Sequence, residues 1–398
     1  MEIGWIDFSR TERNKVLNVL SLLTEPGILD EFGIGSIRDA FSELFFPGTS
    51  TIQTRAKYFF IVPYALKDLE YINNSNPKDL LKEFNEKERE CGQRLYEKNP
   101  NENGIIGSTK IPHNLWVQRP PSNIYLGGLK KFKILNHNLS IRRYISIIYS
   151  QNDDKINIRS LGNTNDKKEL ITDDNDAGID QSSRLLNIPT YHRDWFEKLE
   201  MDLTYDEGQF LKNQIISNFD DSMFAYILEN NMCEVLEYNS FRELKPIIYK
   251  FPEQIQKDYI DAVDFSEFVF TLSVIYNLMV SNYENKNALK LFETIEKDLE
   301  NISNINIDHI ISRLNISRNP KLNQFLNQSK DCMKNNDIEG LKDKIKSREK
   351  FLKGNNRARL STPGEEDVNK WFAGQYLDYR FGNVKIILND IFKSIGVI

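Results

Sequence analysis

The most apolar stretch of this chain is Phe265-Ser-Glu-Phe-Val-Phe-Thr-Leu-Ser-Val-Ile-Tyr-Asn-Leu-Met-Val280. Polar side chains interrupt it at Glu267, Thr271, Ser273 and Asn277, so it falls short of the roughly 20 apolar residues that cross a bilayer. We therefore predict a helix buried in the core of the protein and no association with a membrane.

Helical patterns continue on both sides of this stretch. They cover about 286–300 and, in pieces, 306–350 towards the C-terminus, and about 222–230 and 240–249 towards the N-terminus. Further upstream, Thr204 and Glu207 have the spacing of a capping box, in which the hydroxyl accepts from the N3 amide and the carboxylate reaches back to the cap. This pair predicts the start of another helix.

The N-terminal part of the chain also shows helical patterns. Ser9 and Glu12 have capping-box spacing and predict a first helix from about 10 to 23. Further helices are predicted from Ser36, from about residue 51, and from Pro77 to about Leu95. Because no segment shows sustained strand alternation between hairpin turns, the predicted fold is mainly α and multi-helical, with two lobes and little β structure.

Residues 151–185 separate two helical regions. They are polar, rich in Asn, Asp, Gly and Ser, and contain few large apolar side chains, which is typical of a linker or a long exposed loop. This pattern predicts an N-terminal helical domain over 1–150 and a C-terminal helical domain over 186–398.

The overall composition is that of an ordinary cytosolic protein, with 28% charged residues and a net charge of -6 over 398 residues. Its three cysteines, Cys91, Cys233 and Cys332, lack CxxC spacing, which argues against a disulfide framework and against a zinc knuckle. The first residues do not resemble a signal peptide. We therefore expect a cytoplasmic location and only local affinity for nucleic acid.

No catalytic residue can be assigned from sequence motifs. The four histidines, His113, His137, His192 and His309, lie outside motifs such as HExxH, although a nucleophile and its base could still meet in space. The segment Gly104–Lys110 has the wrong spacing for a phosphate-binding loop. We predict no cofactor and no metal site, and favour a protein that is not an enzyme.

Clusters of carboxylates suggest an alternative, a cryptic metal-dependent nuclease. Such an enzyme needs acidic groups that converge on Mg²⁺, and Asp206 and Glu207 are the most plausible members of the group. The simpler interpretation is that acids at helix starts complement the helix dipole. This interpretation covers two groups of acids, Asp202, Asp206 and Glu207, and Asp258, Asp261 and Asp264.

The strongest anomaly in the sequence is electrostatic. Residues 103–152 contain no Asp or Glu, although 58 acids in 398 residues would place about 7 in a window of this size. The same window, the basic segment, has a charge of +7 from Lys110, Arg119, Lys130, Lys131, Lys133, Arg142 and Arg143. Such segregation of charge is what a phosphate-binding surface needs. The alternative is a segment whose cations pair with the acidic remainder of the chain.

Two helices are predicted within the basic segment. Pro120-Pro121-Ser122 is expected to start one that carries the lysines at its end, and Ser140 to cap a second that carries the arginines. Two short helices with basic termini are compatible with a helix-turn-helix or winged-helix-like module.

A second candidate for phosphate binding is the segment Thr49–Phe60, which contains Arg55 and Lys57 near a helix start. The alternative is that the hydroxyls cap a helix and that Arg55 is buried and paired with Asp39 or Glu43.

Four stretches carry a resemblance to a known family: Ile3-Gly-Trp-Ile-Asp-Phe-Ser9, Leu44-Phe-Phe-Pro-Gly-Thr-Ser-Thr-Ile-Gln-Thr-Arg-Ala-Lys-Tyr58, Trp116-Val-Gln-Arg-Pro-Pro-Ser-Asn-Ile-Tyr125 and Leu377-Asp-Tyr-Arg380. They are spread over the whole chain. Together they resemble a prokaryotic family catalogued as domain of unknown function 6361. The motifs are distinctive, but the family has no assigned chemistry.

The resemblance implies a genomic neighbourhood of helicases, phospholipase D-like proteins and restriction components, as in antiphage systems. We therefore expect a non-enzymatic component of a prokaryotic defence system, which binds nucleic acid or bridges helicase and effector subunits. The alternatives are the metal-dependent nuclease and a purely structural adaptor between proteins.

Overall fold

The structure is a computed structural model that describes residues 30–72, 76–136, 139–152, 185–316, 319–364 and 368–398. Within these ranges the chain forms fourteen α-helices, and its one β feature is an isolated antiparallel bridge between Leu135 and Leu186. The predicted mainly helical fold is confirmed. The predicted first helix and most of the predicted linker lie outside the described residues.

The helices are numbered in chain order. They are α1 (Gly35–Phe45), α2 (Tyr58–Asp68), α3 (Pro77–Lys98), α4 (Pro121–Lys131), α5 (Ile141–Asn152), α6 (Tyr205–Asn218), α7 (Met223–Glu229), α8 (Glu253–Val280), α9 (Lys286–Ile295), α10 (Leu299–Ile302), α11 (Ile307–Arg313), α12 (Pro320–Lys334), α13 (Ile338–Lys353) and α14 (Phe381–Ser394). Short 3-10 helices occur at Leu69–Tyr71, Ile111–His113, Cys233–Glu237, Phe241–Lys250, Glu296–Asp298 and Arg359–Ser361.

Two compact units make up the chain, and each combines segments that are distant in sequence. Unit 1 comprises residues 1–41 and 257–377, and unit 2 comprises residues 42–256 and 378–398. This division differs from the one predicted at 151–185. Sequence composition identifies polar connecting segments, but it does not show which distant segments pack together. Helix α14 packs against α6, and no local sequence pattern indicates this contact.

The predicted core helix is α8, and its polar residues fix a neighbouring segment of unit 1. The side-chain amide of Asn277 donates to the carbonyl of Phe372 at 2.8 Å, and its oxygen accepts from the Phe372 amide at 2.7 Å. The Ser273 hydroxyl donates to the carbonyl of Ala373 at 2.6 Å. Both side chains are buried. Ser273 and Asn277, which interrupt the apolar run, therefore provide hydrogen bonds to backbone groups that are shielded from solvent.

By length and composition α8 is also long and apolar enough to cross a membrane, and it is the one such helix among the described residues. Of its most apolar 18-residue window, 78% is buried within the protein. Core helices of folded domains show the same combination of apolar composition and burial.

Unit 1 also contains a buried carboxylate at Glu349 of α13, which is fully excluded from solvent. It accepts from the Tyr276 hydroxyl at 2.6 Å and from the Leu360 amide at 3.0 Å, and Lys353 lies 3.4 Å away. These contacts join α8, α13 and the 3-10 helix Arg359–Ser361.

The centre of unit 2 is α2, in which every residue from Tyr58 to Leu66 is buried. Helices α3 and α4 both pack against it. The buried Tyr125 hydroxyl of α4 accepts from the amides of Thr54 and Arg55 at 2.8 and 3.1 Å and donates to the Arg55 carbonyl at 2.8 Å. This contact ties α4 to the segment that leads into α2.

The start of α4 is capped by a residue from another helix. Pro120 provides no side-chain cap, and the buried Glu88 of α3 instead accepts from the Ser122 amide at 2.6 Å and from the Ser122 hydroxyl at 2.9 Å. Burial raises the pKa of Glu88 to about 7, although the hydrogen bonds from Ser122 act to lower it. The fold therefore holds a carboxyl group that titrates near neutral pH.

This pKa predicts a pH-dependent stability. The pKa of Glu88 is about 7 in the folded protein and 4.5 in the unfolded chain. Between these pH values the folded protein therefore binds more protons than the unfolded chain. The stabilisation that comes from protonated Glu88 is fully present below about pH 4.5 and is lost as pH rises through about 7, which lowers the free energy of unfolding by about 3 kcal/mol.

Glu88→Gln is expected to remove this pH dependence of the free energy of unfolding, because the uncharged amide of Gln resembles the protonated carboxyl group. Urea unfolding at about pH 5 and about pH 8 measures the change, since the midpoint and slope give the free energy at each pH. The exposed Glu83 of the same helix supplies the control, and Glu83→Gln should keep the wild-type pH dependence. Equal pH dependence in all three proteins would contradict the prediction.

Candidate functional site

Both helices predicted in the basic segment are present. Pro120 is the N-cap residue of α4, and Lys130 and Lys131 lie in its last turn. The Ser140 hydroxyl accepts from the Arg143 amide at 3.2 Å at the start of α5. Lys133 follows α4 in a left-handed conformation, with φ of 54°.

The main packing partners of these helices differ from those of a helix-turn-helix, whose two helices pack on each other. Helix α4 packs against α2, whereas α5 packs against α3 and the 3-10 helix Leu69–Tyr71. The chain between them is held by the bridge at Leu135, where the Asn136 amide donates to the Leu185 carbonyl at 2.9 Å.

The cations of the basic segment divide into two groups. Lys131 pairs with Glu43, which also accepts from Arg380 at 2.7 Å. Burial acts to raise the pKa of Glu43, but its hydrogen bonds to Lys131 and Arg380 outweigh burial and hold the pKa below its usual value. Arg119 and Arg143 are exposed, and each interacts with another group of the protein.

Four cations of the segment form the second group. Within the described ranges, no hydrogen bond or ion pair engages the side chains of Lys110, Lys130, Lys133 or Arg142. Lys110, Lys133 and Arg142 are exposed, while Lys130 is partly buried, and this burial lowers the pKa of Lys130. These four, the unpaired cations, are the part of the predicted surface that remains available to an anion.

The two cations of the second candidate segment, Arg55 and Lys57, are buried within unit 2. The guanidinium of Arg55 donates through Nε to both carboxylate oxygens of Asp390, at 2.9 and 3.0 Å. Its terminal nitrogens contact Glu102 and Asp202, the latter at 3.3 Å. Burial of Arg55 was one of the two alternatives predicted from the sequence, but the predicted partners were Asp39 or Glu43. The observed partners are far away in sequence, 335 residues in the case of Asp390.

Lys57 is also buried, and its ammonium group donates to both oxygens of Glu207, at 2.9 and 2.7 Å. The same carboxylate closes the predicted capping box by accepting from the Thr204 amide at 2.8 Å. Arg55 and Lys57 are therefore committed to ion pairs within the fold, and neither exposes a charge for nucleic acid.

A cleft of about 260 Å³ opens beside the Lys57–Glu207 pair, and Tyr64, Trp195 and His192 line it as well. Burial, followed by the effect of the Glu207 carboxylate, raises the pKa of Tyr64, so its phenol is protonated at neutral pH. Lys57 and Glu207 neutralise each other, and Lys198 pairs with Asp194. Asp206 also lines the cleft, so its lining carries an excess of negative charge.

The carboxylates considered for a nuclease are mostly engaged with basic side chains. Asp258 pairs with Arg313 at 2.8 Å, and Asp261 lies 3.1 Å from His309. Asp202 contacts Lys393 at 2.8 Å in addition to Arg55. In the part of the chain that the structure describes, no group of three or more His, Cys, Asp or Glu side chains is placed to hold a metal ion. His137 lies outside that part.

Residues 1–137 match the model of a family of unknown function, DUF6361. The matched part includes the stretches Leu44–Tyr58 and Trp116–Tyr125 and ends before Leu377–Arg380. Searches of characterised proteins and of solved structures find no match. The comparisons therefore relate the N-terminal third of the chain to an uncharacterised family.

The buried Arg55 network predicts a large loss of stability when one partner is removed. Arg55→Met is expected to lower the free energy of unfolding by about 3–5 kcal/mol, because Asp390 would remain buried without its cation. The matched control is Lys393→Met, which removes an exposed ion pair with Asp202 and should cost at most about 1 kcal/mol. Urea unfolding followed by circular dichroism measures both, and similar losses in the two variants would contradict the prediction.

Proposed function

We propose that this protein is a non-enzymatic, nucleic-acid-binding component of a prokaryotic antiphage defence system. It contacts phosphates through the unpaired cations Lys110, Lys130, Lys133 and Arg142. A cytoplasmic location and partners of the helicase and phospholipase D-like classes belong to the same proposal, and they rest on the family resemblance alone.

One observation carries the nucleic-acid part of the proposal. A run of 50 residues without a single acid leaves four cations without a hydrogen bond or ion pair among the described residues. Had the segment been a structural counterpart to the acidic remainder of the chain, its cations would be paired, as Lys131 is with Glu43. Unpaired cations release condensed counterions when they meet phosphates, which favours binding.

The position of Arg142 adds to this support. It lies in the first turn of α5, where the helix dipole favours negative charge, and that turn contains no acidic residue. A cation there is unfavourable for the isolated helix. A bound phosphate would relieve this repulsion.

The test is the salt dependence of binding to duplex DNA of unrelated sequences. Phosphate contacts predict an affinity that is independent of sequence and a change in log K of about -0.9 per contact with log salt concentration. The triple variant Lys110→Gln, Lys133→Gln, Arg142→Gln is expected to bind more weakly and to reduce this slope by up to about 2.7.

The control is Lys286→Gln, Lys290→Gln, Lys297→Gln, which removes the same charge from three exposed lysines of unit 1. Circular dichroism should show both variants to be as helical as the wild type. If the wild type binds neither DNA nor RNA at low salt, the adaptor function becomes the better proposal. If both variants weaken binding equally, net charge and not this surface is responsible.

A further inference from the structure

Unit 1 contains a groove between α12 and α13 with a cavity of about 260 Å³. Its lining follows a regular pattern, because each helix contributes residues at positions i, i+3, i+4 and i+7, which lie on one face of a helix. Helix α12 contributes Lys321, Gln324, Phe325 and Gln328, and α13 contributes Lys344, Ser347, Arg348 and Phe351.

The lining of the groove is basic. It holds three cations, Lys321, Lys344 and Arg348, and no acidic side chain among the described residues that form it. The surrounding segment 319–359 has eleven Lys or Arg residues against five Asp or Glu. This excess is not apparent in the sequence, because acids are interspersed with the bases and no acid-free window marks it.

Arg348 is built into the groove. It is only 6% exposed, and its Nε donates to the Phe32 carbonyl at 2.8 Å. Gly33 lies against its guanidinium, since a Cβ at that position would come within 2.8 Å of Nη2. Its terminal nitrogens make no hydrogen bond or ion pair in the described part of the chain, and the Asp30 carboxylate acts on the guanidinium only through space. The planar guanidinium, held in this way, can donate from its terminal nitrogens to two oxygens of an anion such as phosphate.

Phe351 supplies an aromatic surface at the same place. Its side chain is 55% exposed, so the ring is accessible to a ligand in the groove. The Lys321 ammonium lies 4.2 Å from its ring centroid, and the Arg348 guanidinium carbon 5.8 Å. Lys321 is exposed and can move aside when another planar group stacks on the ring.

We propose that this groove binds single-stranded nucleic acid, with an unpaired base stacked on Phe351 and the adjacent phosphates bound by Lys321, Lys344 and Arg348. A cationic groove combined with an aromatic platform is the arrangement that binds single strands with little sequence preference. The amides of Gln324 and Gln328 can hydrogen-bond the edges of the base. A duplex fits poorly, because its bases are stacked within the helix and cannot reach Phe351.

This inference adds a second site to the proposed function, on the other unit, and does not depend on the basic segment. The two can fail separately. The groove concerns single strands and aromatic stacking, whereas the basic segment concerns phosphates of any nucleic acid.

The test uses the full chain and two fluorescein-labelled probes, a thymidine oligonucleotide and a DNA duplex. Phe351→Ala is expected to weaken binding of the single strand about fivefold to a hundredfold, the range found when a stacking aromatic is removed. Its effect on the duplex should be small. The control is Tyr283→Ala, another exposed aromatic of unit 1 that carries a lysine over its ring but does not line the groove.

The charges are tested in the same way. Lys321→Gln, Lys344→Gln should reduce the salt slope for the single strand by up to about 1.4, since each contact contributes about 0.7. Lys286→Gln, Lys297→Gln removes the same charge outside the groove and should have little effect on that slope.

Three outcomes would overturn the proposal. The first is unchanged single-strand binding by folded Phe351→Ala and by the folded double variant. The second is an equal loss of binding in the controls. The third is tight binding of free thymidine monophosphate, as strong as that of the oligonucleotide, which would make the groove a nucleotide pocket. Loss of duplex binding in the basic-segment variant alone, with Phe351→Ala still impaired for single strands, would support both sites.

Discussion

The buried pair of Arg55 and Asp390 is the interaction on which unit 2 depends. The Arg55 side chain holds α14 through Asp390, while the Arg55 backbone is held by Tyr125 of α4. Removing two charges from water is costly, and additional contacts help to offset this cost. The guanidinium also reaches Glu102 and Asp202, and the Ala56 amide donates to Asp390 at 2.8 Å. Helix α4, which carries Lys130 and Lys131, is thus tied through Tyr125 to the backbone of the residue at the centre of this charge network.

Unit 1 also contains buried charged side chains that are held by hydrogen bonds, at two adjacent residues of α13. Glu349 is fully buried and bonded to Tyr276 and Leu360, whereas Arg348 is bonded to the backbone of Phe32 and lines the groove. Glu349 therefore secures the helix, and the neighbouring Arg348 places a fixed, largely buried cation in the lining of the groove. A cation held by the fold loses less side-chain entropy on binding an anion than a flexible lysine does.

Positive charge in the sequence corresponds to three different situations in the structure. Arg55 and Lys57 form buried ion pairs with carboxylates of the protein. Lys131 forms an ion pair at the surface. Lys133 and Arg142 are exposed and form no ion pair with the described residues. A count of charges along the chain weights all of these equally. Only the location of the acids decides which cations can meet a phosphate, and Asp390 and Glu207 are too distant in sequence to be recognised as partners.

The sequence by itself determined the local features: the helical fold, the buried helix at Phe265–Val280, the capping box of Thr204 and Glu207, and the cap at Ser140. These depend on hydrogen bonds and side-chain periodicity within a few residues of each other. The tertiary structure alone decided the division into two units, the partners of Arg55 and Lys57, and the groove between α12 and α13. The physical reason is that burial and charge pairing depend on which distant segments the folded chain brings into contact, and a local pattern does not specify that choice.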